Sequence, residues 1–192
     1  SMNGLSHDLG QLSANSQLAI SGNRGTFNAR PDASGVAVFS ITARQLDSIG
    51  EIQFNLNGAD TAIVNVSGAS ITLDDNFLGG TSNLGKNVIW NFTDATDLTL
   101  TTAWGGSVLA PRASARTSNY IQGSAVFGSL VQNGKMQAGT YAGGYYPPSN
   151  PASSSSTSSG GTAVPEPGMI ALFAGAVGAL FLLRRRRRDA ER

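Results

Sequence analysis

The chain has one histidine, His7, followed by Asp8. An imidazole beside a carboxylate is the base of a nucleophilic triad, and serines are plentiful. The triad also needs a strained turn to lift its nucleophile, and no Gly-x-Ser-x-Gly segment provides one. The pair reads instead as solvated at a helix start. Asp74 and Asp75 are adjacent carboxylates, the type of pair that shares a proton or holds calcium. No Asp-x-Asp-x-Asp-Gly loop surrounds them, so they read as a solvated turn ahead of Asn76. With 0 cysteines, thiolate nucleophiles, disulfides and thiolate zinc sites are excluded, and a single histidine cannot build a His-rich metal site. The glycine pairs at 79–80, 105–106, 143–144 and 160–161 lack the Gly-x-Gly-x-x-Gly frame and the lysine that phosphate binding requires. This inventory points to a non-enzymatic protein with no catalytic residues, no metal and no cofactor.

Aromatic residues offer a different chemistry, the stacking of sugar rings. Trp90 alternates with apolar neighbours and belongs in a core. Trp104, next to Gly105-Gly106, is expected in a turn and exposed. Tyr141, Tyr145 and Tyr146 cluster before Pro147. Together with Trp104 they form a candidate glycan platform; the alternative is that the tyrosines cap the end of the folded body. Asn65-Val66-Ser67 and Asn91-Phe92-Thr93 match the glycosylation pattern, but both fall within expected strands and read as chance matches.

The C-terminal tail has the densest signal. Val164, Pro165, Glu166 and Pro167 precede an apolar run over 168–183, and then come Arg184, Arg185, Arg186, Arg187 and Arg188. Met169–Leu183 as a helix would reach roughly 22 Å at about 1.5 Å per residue, short of a ~30 Å hydrocarbon core. Arginine stems can snorkel to cover part of that deficit. The arginine block stays cytoplasmic and orients the body outward. The prolines keep the approach extended, and a Pro/Ser/Thr/Gly linker over 147–163 separates the tail from the body. The basic charge is concentrated in this tail. The body is mildly acidic, so a nucleic-acid partner is not expected.

A body that is 40% hydrophobic and 13% charged over the whole chain is neither a charged disordered segment nor a bundle of membrane helices. Leucines at 5, 9, 12 and 18 predict one short amphipathic helix over Leu5–Ala19. From Gly35 the period changes to that of strands. Strands are expected from Val36 to Ile41, at 52–56 and 61–66 (joined through Asn57-Gly58 as a hairpin), and at 70–73, 87–92, 98–101, 107–110, 120–122, 124–130 and 135–137. Ile63-Val64-Asn65-Val66 recurs as Ile89-Trp90-Asn91-Phe92, and Gly106-Ser107-Val108-Leu109 as Gly123-Ser124-Ala125-Val126. Short strands recurring every roughly 17 to 26 residues suit a solenoid, with Asn65 and Asn91 stacked as an amide ladder between coils. The expected fold is therefore all-β. A β-helix or solenoid-like body with a short N-terminal helix spans residues 1–146, and one transmembrane helix lies in the tail; a β-sandwich is the alternative.

The tail resembles the PEP-CTERM sorting signal in its Val164-Pro165-Glu166-Pro167-Gly168 motif, apolar span and terminal arginines. That resemblance implies processing by exosortase. The product would be an exported protein of a Gram-negative-type bacterium, a membrane-anchored precursor that passes to the cell surface or extracellular matrix. The body is similar to the choice-of-anchor A domain through Ile63-Val64-Asn65-Val66-Ser67-Gly68, Val88-Ile89-Trp90-Asn91-Phe92, Gly106-Ser107-Val108-Leu109-Ala110-Pro111-Arg112-Ala113 and Ile121-Gln122-Gly123-Ser124. Arg112 stands where that family usually has Asn. The resemblance implies an adhesive, β-helical surface domain without catalytic residues. The expected partner is a polysaccharide or a host or matrix surface, and the alternative function is a carbohydrate-binding module acting on exopolysaccharide, with Trp104 and the tyrosines as its platform. Because residues 1–10 lack a basic and apolar leader, the upstream reading frame is expected to carry a signal peptide and the first coils.

Overall fold

The computed structural model describes residues 1–82 and 84–132, together with the strand at 141–145. Helix α1 runs Met2–Gly10, and Ser1 caps it by accepting a hydrogen bond from Gly4 N. The strands that follow are β1 (Gln17–Ser21), β2 (Arg24–Asn28) and β3 (Val36–Thr42). A short helix, α2 (Ala43–Asp47), follows with a complete capping box between Thr42 and Gln45. Next are β4 (Glu51–Asn55), β5 (Thr61–Ser67), β6 (Ser70–Leu73), β7 (Asn76–Phe77), β8 (Val88–Asn91) and β9 (Asp97–Leu100). The last are β10 (Trp104–Gly105), β11 (Ser107–Thr117), β12 (Ile121–Gln132) and β13 (Tyr141–Tyr145).

Apart from the β1–β2 hairpin, every strand pairing among the described residues is parallel. One row runs β3, β5, β8, the first half of β11, the middle of β12 and β13. A second runs β6, β9, the second half of β11 and the end of β12. A third sheet has the order β1-β2-β4-β7. The body is mostly β, and its parallel sheet curls like a half barrel around the core.

The core is built by register. Phe39 lies beside Val64, Val64 beside Trp90, Trp90 beside Val108 and Val108 beside Ala125. All five are buried, so the same inward position is apolar in every layer. Phe27, Phe39, Phe54, Phe77, Trp90 and Trp104 fill the interior with edge-to-face and stacked contacts at centroid separations of 4.7–6.5 Å. A smaller apolar layer lies on the opposite side of the β3 row. There Leu9 of α1 packs with Val36, Val38, Ile63, Ile89, Leu109 and Val126.

The expected amide ladder is present. Asn65 and Asn91 are register partners, and Asn91 Nδ2 donates to Asn65 Oδ1 at 2.8 Å. The Gly106 and Gly123 repeats are aligned too, with Val108 opposite Ala125 and Leu109 opposite Val126.

Three expectations are corrected. The N-terminal helix ends at Gly10 rather than Ala19, because the polar stretch Ser13-Ala14-Asn15-Ser16 turns onto β3 and Leu18 enters a strand. The segments at 51–55 and 61–67 do not form a hairpin: β4 pairs with β2 and β7, and β5 pairs with β3 and β8. Asn57 at φ 49 and Gly58 at φ 81 turn a corner between sheets, so each strand pairs with the strands one layer away. That parallel pairing also removes the β-sandwich alternative.

Among the described residues no helix is long and apolar enough to cross a membrane. The linker, the span over 168–183 and the strand expected at 135–137 lie outside the described residues.

Candidate functional site

Two outward faces arise from the rows, and they differ in what covers them. The β3 row is covered by α1. Ser6 Oγ donates to Asn91 Oδ1 at 2.7 Å, Asn91 Nδ2 donates to Ser6 O at 2.9 Å, and Asn65 Nδ2 donates to Leu9 O at 2.8 Å. Thr93 Oγ1 also donates to Ser6 O, at 3.0 Å. The ladder thus adds side-chain hydrogen bonds to the α1 carbonyls of Ser6 and Leu9 and pins the helix to the sheet. Asn65 is 9% and Asn91 1% exposed, so neither is a glycosylation acceptor in the folded body.

The β6 row is open. Its strands alternate: Ile71 and Leu73 of β6, Leu98 and Leu100 of β9, and Ala113 and Ala115 of β11 point into the core. The outward positions line up across four strands. Ser70, Asp97, Ser114 and Ser129 share one line, and Thr72, Thr99, Arg116 and Val131 share the next. Ser129 Oγ donates to Ser114 Oγ at 3.2 Å, and Arg116 Nη2 approaches Asp97 Oδ1 at 3.4 Å. This surface offers short hydroxyls at the ~4.8 Å strand spacing, with one exposed ion pair. The β1-β2-β4-β7 sheet also turns a polar side outward, where Asn55 Nδ2 donates to Asn28 Oδ1 at 2.9 Å and Arg24 meets Glu51 at 3.3 Å.

Asp75 differs from its expected solvated state. It is fully buried, and among the described residues neither carboxylate oxygen has a hydrogen-bond partner. The alternation of β6 continues through exposed Asp74 to an inward Asp75. Burial raises its pKa from 3.8 to about 7, and the charges of Asp74 and Asp47 push in the same direction.

Trp104 is also corrected. It is fully buried against Phe77 and Trp90, at 4.9 and 5.1 Å between ring centroids, so its face is closed to a sugar ring. The Gly105-Gly106 pair that follows it predicts a turn, but Trp104 lies in the short strand β10 and pairs with Ile121. Tyr141 and Tyr145 begin and end β13 beside β12. Tyr146, the motif Val164, Pro165, Glu166 and Pro167, and the arginines 184–188 lie outside the described residues. His7 is exposed on α1, and among the described residues no group of three or more His, Cys, Asp or Glu could hold a metal ion.

The open hydroxyl face was not singled out in the sequence. Its signal is the period-2 alternation of small polar with apolar residues, repeated at the spacing of the layers.

No curated protein and no solved structure matches the chain. A family model does match, over residues 1–138, and it therefore includes α1, both outward faces and the core. An adhesive domain is consistent with a non-enzymatic protein and implies one that is exported or at the surface. The match ends before the linker and tail. With well over half of its length matched, the chain belongs to the family described as Putative Ice-binding-like adhesive domain.

Proposed function

We propose that this chain is the adhesive part of an exported cell-surface or matrix adhesin. We further propose that the open face of β6, β9, β11 and β12 makes the contact. The family match over residues 1–138 carries the reading. The geometry supports it, because the β3 row is occupied by α1 while the β6 row presents aligned hydroxyls to solvent. The partner is a hydrated polar surface such as an exopolysaccharide or matrix polymer, which short hydroxyls at strand spacing can meet with many weak hydrogen bonds. The curled sheet is a β-solenoid in this reading, each coil adding a strand to each row, as the choice-of-anchor A resemblance implies.

The tail sorts the protein. Exosortase recognises Glu166 and its flanking prolines, the span over 168–183 holds the precursor in the membrane, and Arg184–Arg188 orient it.

Adhesion is tested with the purified full chain on immobilised exopolysaccharide from a producing bacterium. Thr72→Val with Thr99→Val should lower retention severalfold at unchanged thermal stability. Retention that is unaffected by this pair and lost with a β4 outward change, Gln53→Val, would move the contact to the other sheet. Sorting is tested by intact mass in an exosortase-bearing host. Mature protein should lack residues after about Pro167, and a mass that includes Arg192 would leave a plain single-pass anchor.

A further inference from the structure

The three rows have edges at β1, β3 and β6, and among the described residues the chain covers two of these edges itself. At the edge of β3, Asn15 acts as a strand: Nδ2 donates to Val36 O at 3.0 Å and Oδ1 accepts from Val38 N at 2.8 Å. The backbone N–H groups of Asn15 and Ser16 both donate to Val38 O at 3.0 Å. At the β6 row, α2 packs against β3 and β6 and occupies the place of a further strand. The third edge is β1, and no described residue pairs with its outer side.

The hairpin geometry fixes what that edge offers. Ser21 and Arg24 flank a two-residue turn, with Gly22 at φ 56 in its first position. They form a hydrogen-bonded pair, and so do Ala19 with Thr26 and Gln17 with Asn28, because bonded and non-bonded pairs alternate. The N–H and C=O groups of Leu18 and Ile20 therefore point away from β2. Natural edges are usually blunted by charge, proline or a bulge. β1 reads Gln17-Leu18-Ala19-Ile20-Ser21 and pairs without a register shift, so it has none of these. Ile20 is 43% exposed, which is unusual among the large apolar side chains of the described residues.

We propose that β1 is a self-docking edge, where two copies of this chain pair antiparallel about a twofold axis at Ala19. That register makes Leu18 of one chain the hydrogen-bonded partner of Ile20 of the other, and all the outward groups of both residues are satisfied. Leu18 packs against the core, and Ile20 lies two residues on, on the same side of the strand. Each exposed Ile20 is then covered by the other copy's Leu18, and the β1-β2-β4-β7 sheet continues through the axis into its copy. No charge lies on the edge, and Arg24 at its end is already paired with Glu51 at 3.3 Å. This self-complementarity favours a second copy over an unrelated strand. It does not depend on which face adheres.

The chain has 0 cysteines, so a single introduced thiol reports the axis. Across a twofold at Ala19, residues 19 form a non-hydrogen-bonded pair with Cα atoms about 4.5 Å apart, within disulfide range. The full chain carrying Ala19→Cys, in detergent to shield the apolar run at 169–183, should cross-link to a dimer under mild oxidation. Gln17→Cys should not, because its two copies would stand roughly 13 Å apart at ~3.3 Å per residue. In sedimentation, Ala19→Lys should weaken the wild-type dimer at least tenfold, while at concentrations dilute enough for monomers the melting temperature should be unchanged, because Ala19 is exposed in the monomer. Cross-linking at residue 19 no greater than at residue 17 overturns the proposal. So does a wild-type chain that stays monomeric, or a dimer indifferent to Ala19→Lys, which would assign association to the apolar run or another surface.

Discussion

β11 passes through both environments of this molecule. Its first half, Ser107–Ala110, is buried at four successive positions, because the core lies on one side and α1 closes the other. Its second half alternates, with Arg112, Ser114 and Arg116 exposed and Ala113, Ala115 and Thr117 buried. The same strand thus reads as a continuous buried run where a helix covers it and as a half-buried strand where water does. Covering a face removes it from ligand contact but allows polar groups inside it to pin the cover. An open face needs only its inward side to be apolar, so its outward side is free to vary. The two halves should therefore answer mutation differently, in stability on the covered side and in binding on the open side.

The largest expected effect tests the inward side of the open row, where Asp75 takes a position that should be apolar. Its folded pKa of about 7 lies above the ordinary 3.8, so folding favours the protonated form. The contribution of this group to stability is fully present below about pH 4 and is lost as pH rises to about 7, beyond which it is constant. Across that window the loss is on the order of 4 kcal/mol as an upper figure. Asp75→Asn should flatten this part of the pH profile and make the protein more stable than wild type at pH 8. Denaturant midpoints measured between pH 4 and 8 check it. A wild-type profile flat over that range would mean that the carboxylate finds water or a partner.

On the covered side, Asn91→Leu should cost about 1–3 kcal/mol, because Asn65 Oδ1, Ser6 O and the Ser6 hydroxyl lose a buried partner together. Because α1 rests on this ladder, amide exchange in residues 2–10 should accelerate more than exchange in β9. Equal acceleration in both would show that α1 is held by Leu9 and its apolar neighbours rather than by the amides.

The layer register beneath this contrast was legible in the sequence, whereas the cover and the open face were not, and the failures have definite causes. The apolar-Asn-apolar repeat gave the layer register and the ladder, because a buried amide needs an identical neighbour at a fixed spacing. What caps that ladder was not legible, since the partners Ser6 and Leu9 are 85 and 56 residues away along the chain. Asn57-Gly58 predicts a hairpin between the strands expected at 52–56 and 61–66, because that dipeptide is a hairpin signal. A corner in a layered parallel fold uses the same Asn-Gly chemistry and is told apart only by the partners one layer away. Asp75 was read from its residue type. Its place in the Ser70-Ile71-Thr72-Leu73-Asp74-Asp75 alternation pointed inward, and period prevailed over polarity. The neighbouring Gly105-Gly106 predicts a turn for Trp104, whereas the two rings that claim it, Phe77 and Trp90, come from other strands of the chain.

The smallest effect lies on the open row, at Arg116 and Asp97. Both side chains are at least half exposed, 61% and 50%, and their 3.4 Å contact is solvent-screened. Exposed pairs of this type contribute about 0–1 kcal/mol, so Arg116→Ala should leave the melting temperature almost unchanged. Binding is the informative readout, because Arg116 stands in line with Thr72 and Thr99 and its charge is the strongest feature of that outward row. If the open row meets an acidic polysaccharide, Arg116→Ala should weaken retention and reduce its sensitivity to salt, since the lost contact is the charged one. A neutral polymer held by the hydroxyls alone should show little change with Arg116→Ala and a larger loss with Thr72→Val and Thr99→Val. Comparing the two variants across a salt series therefore separates a charge-led contact from a hydroxyl-led one on the same face, with the folded body essentially unaltered in both.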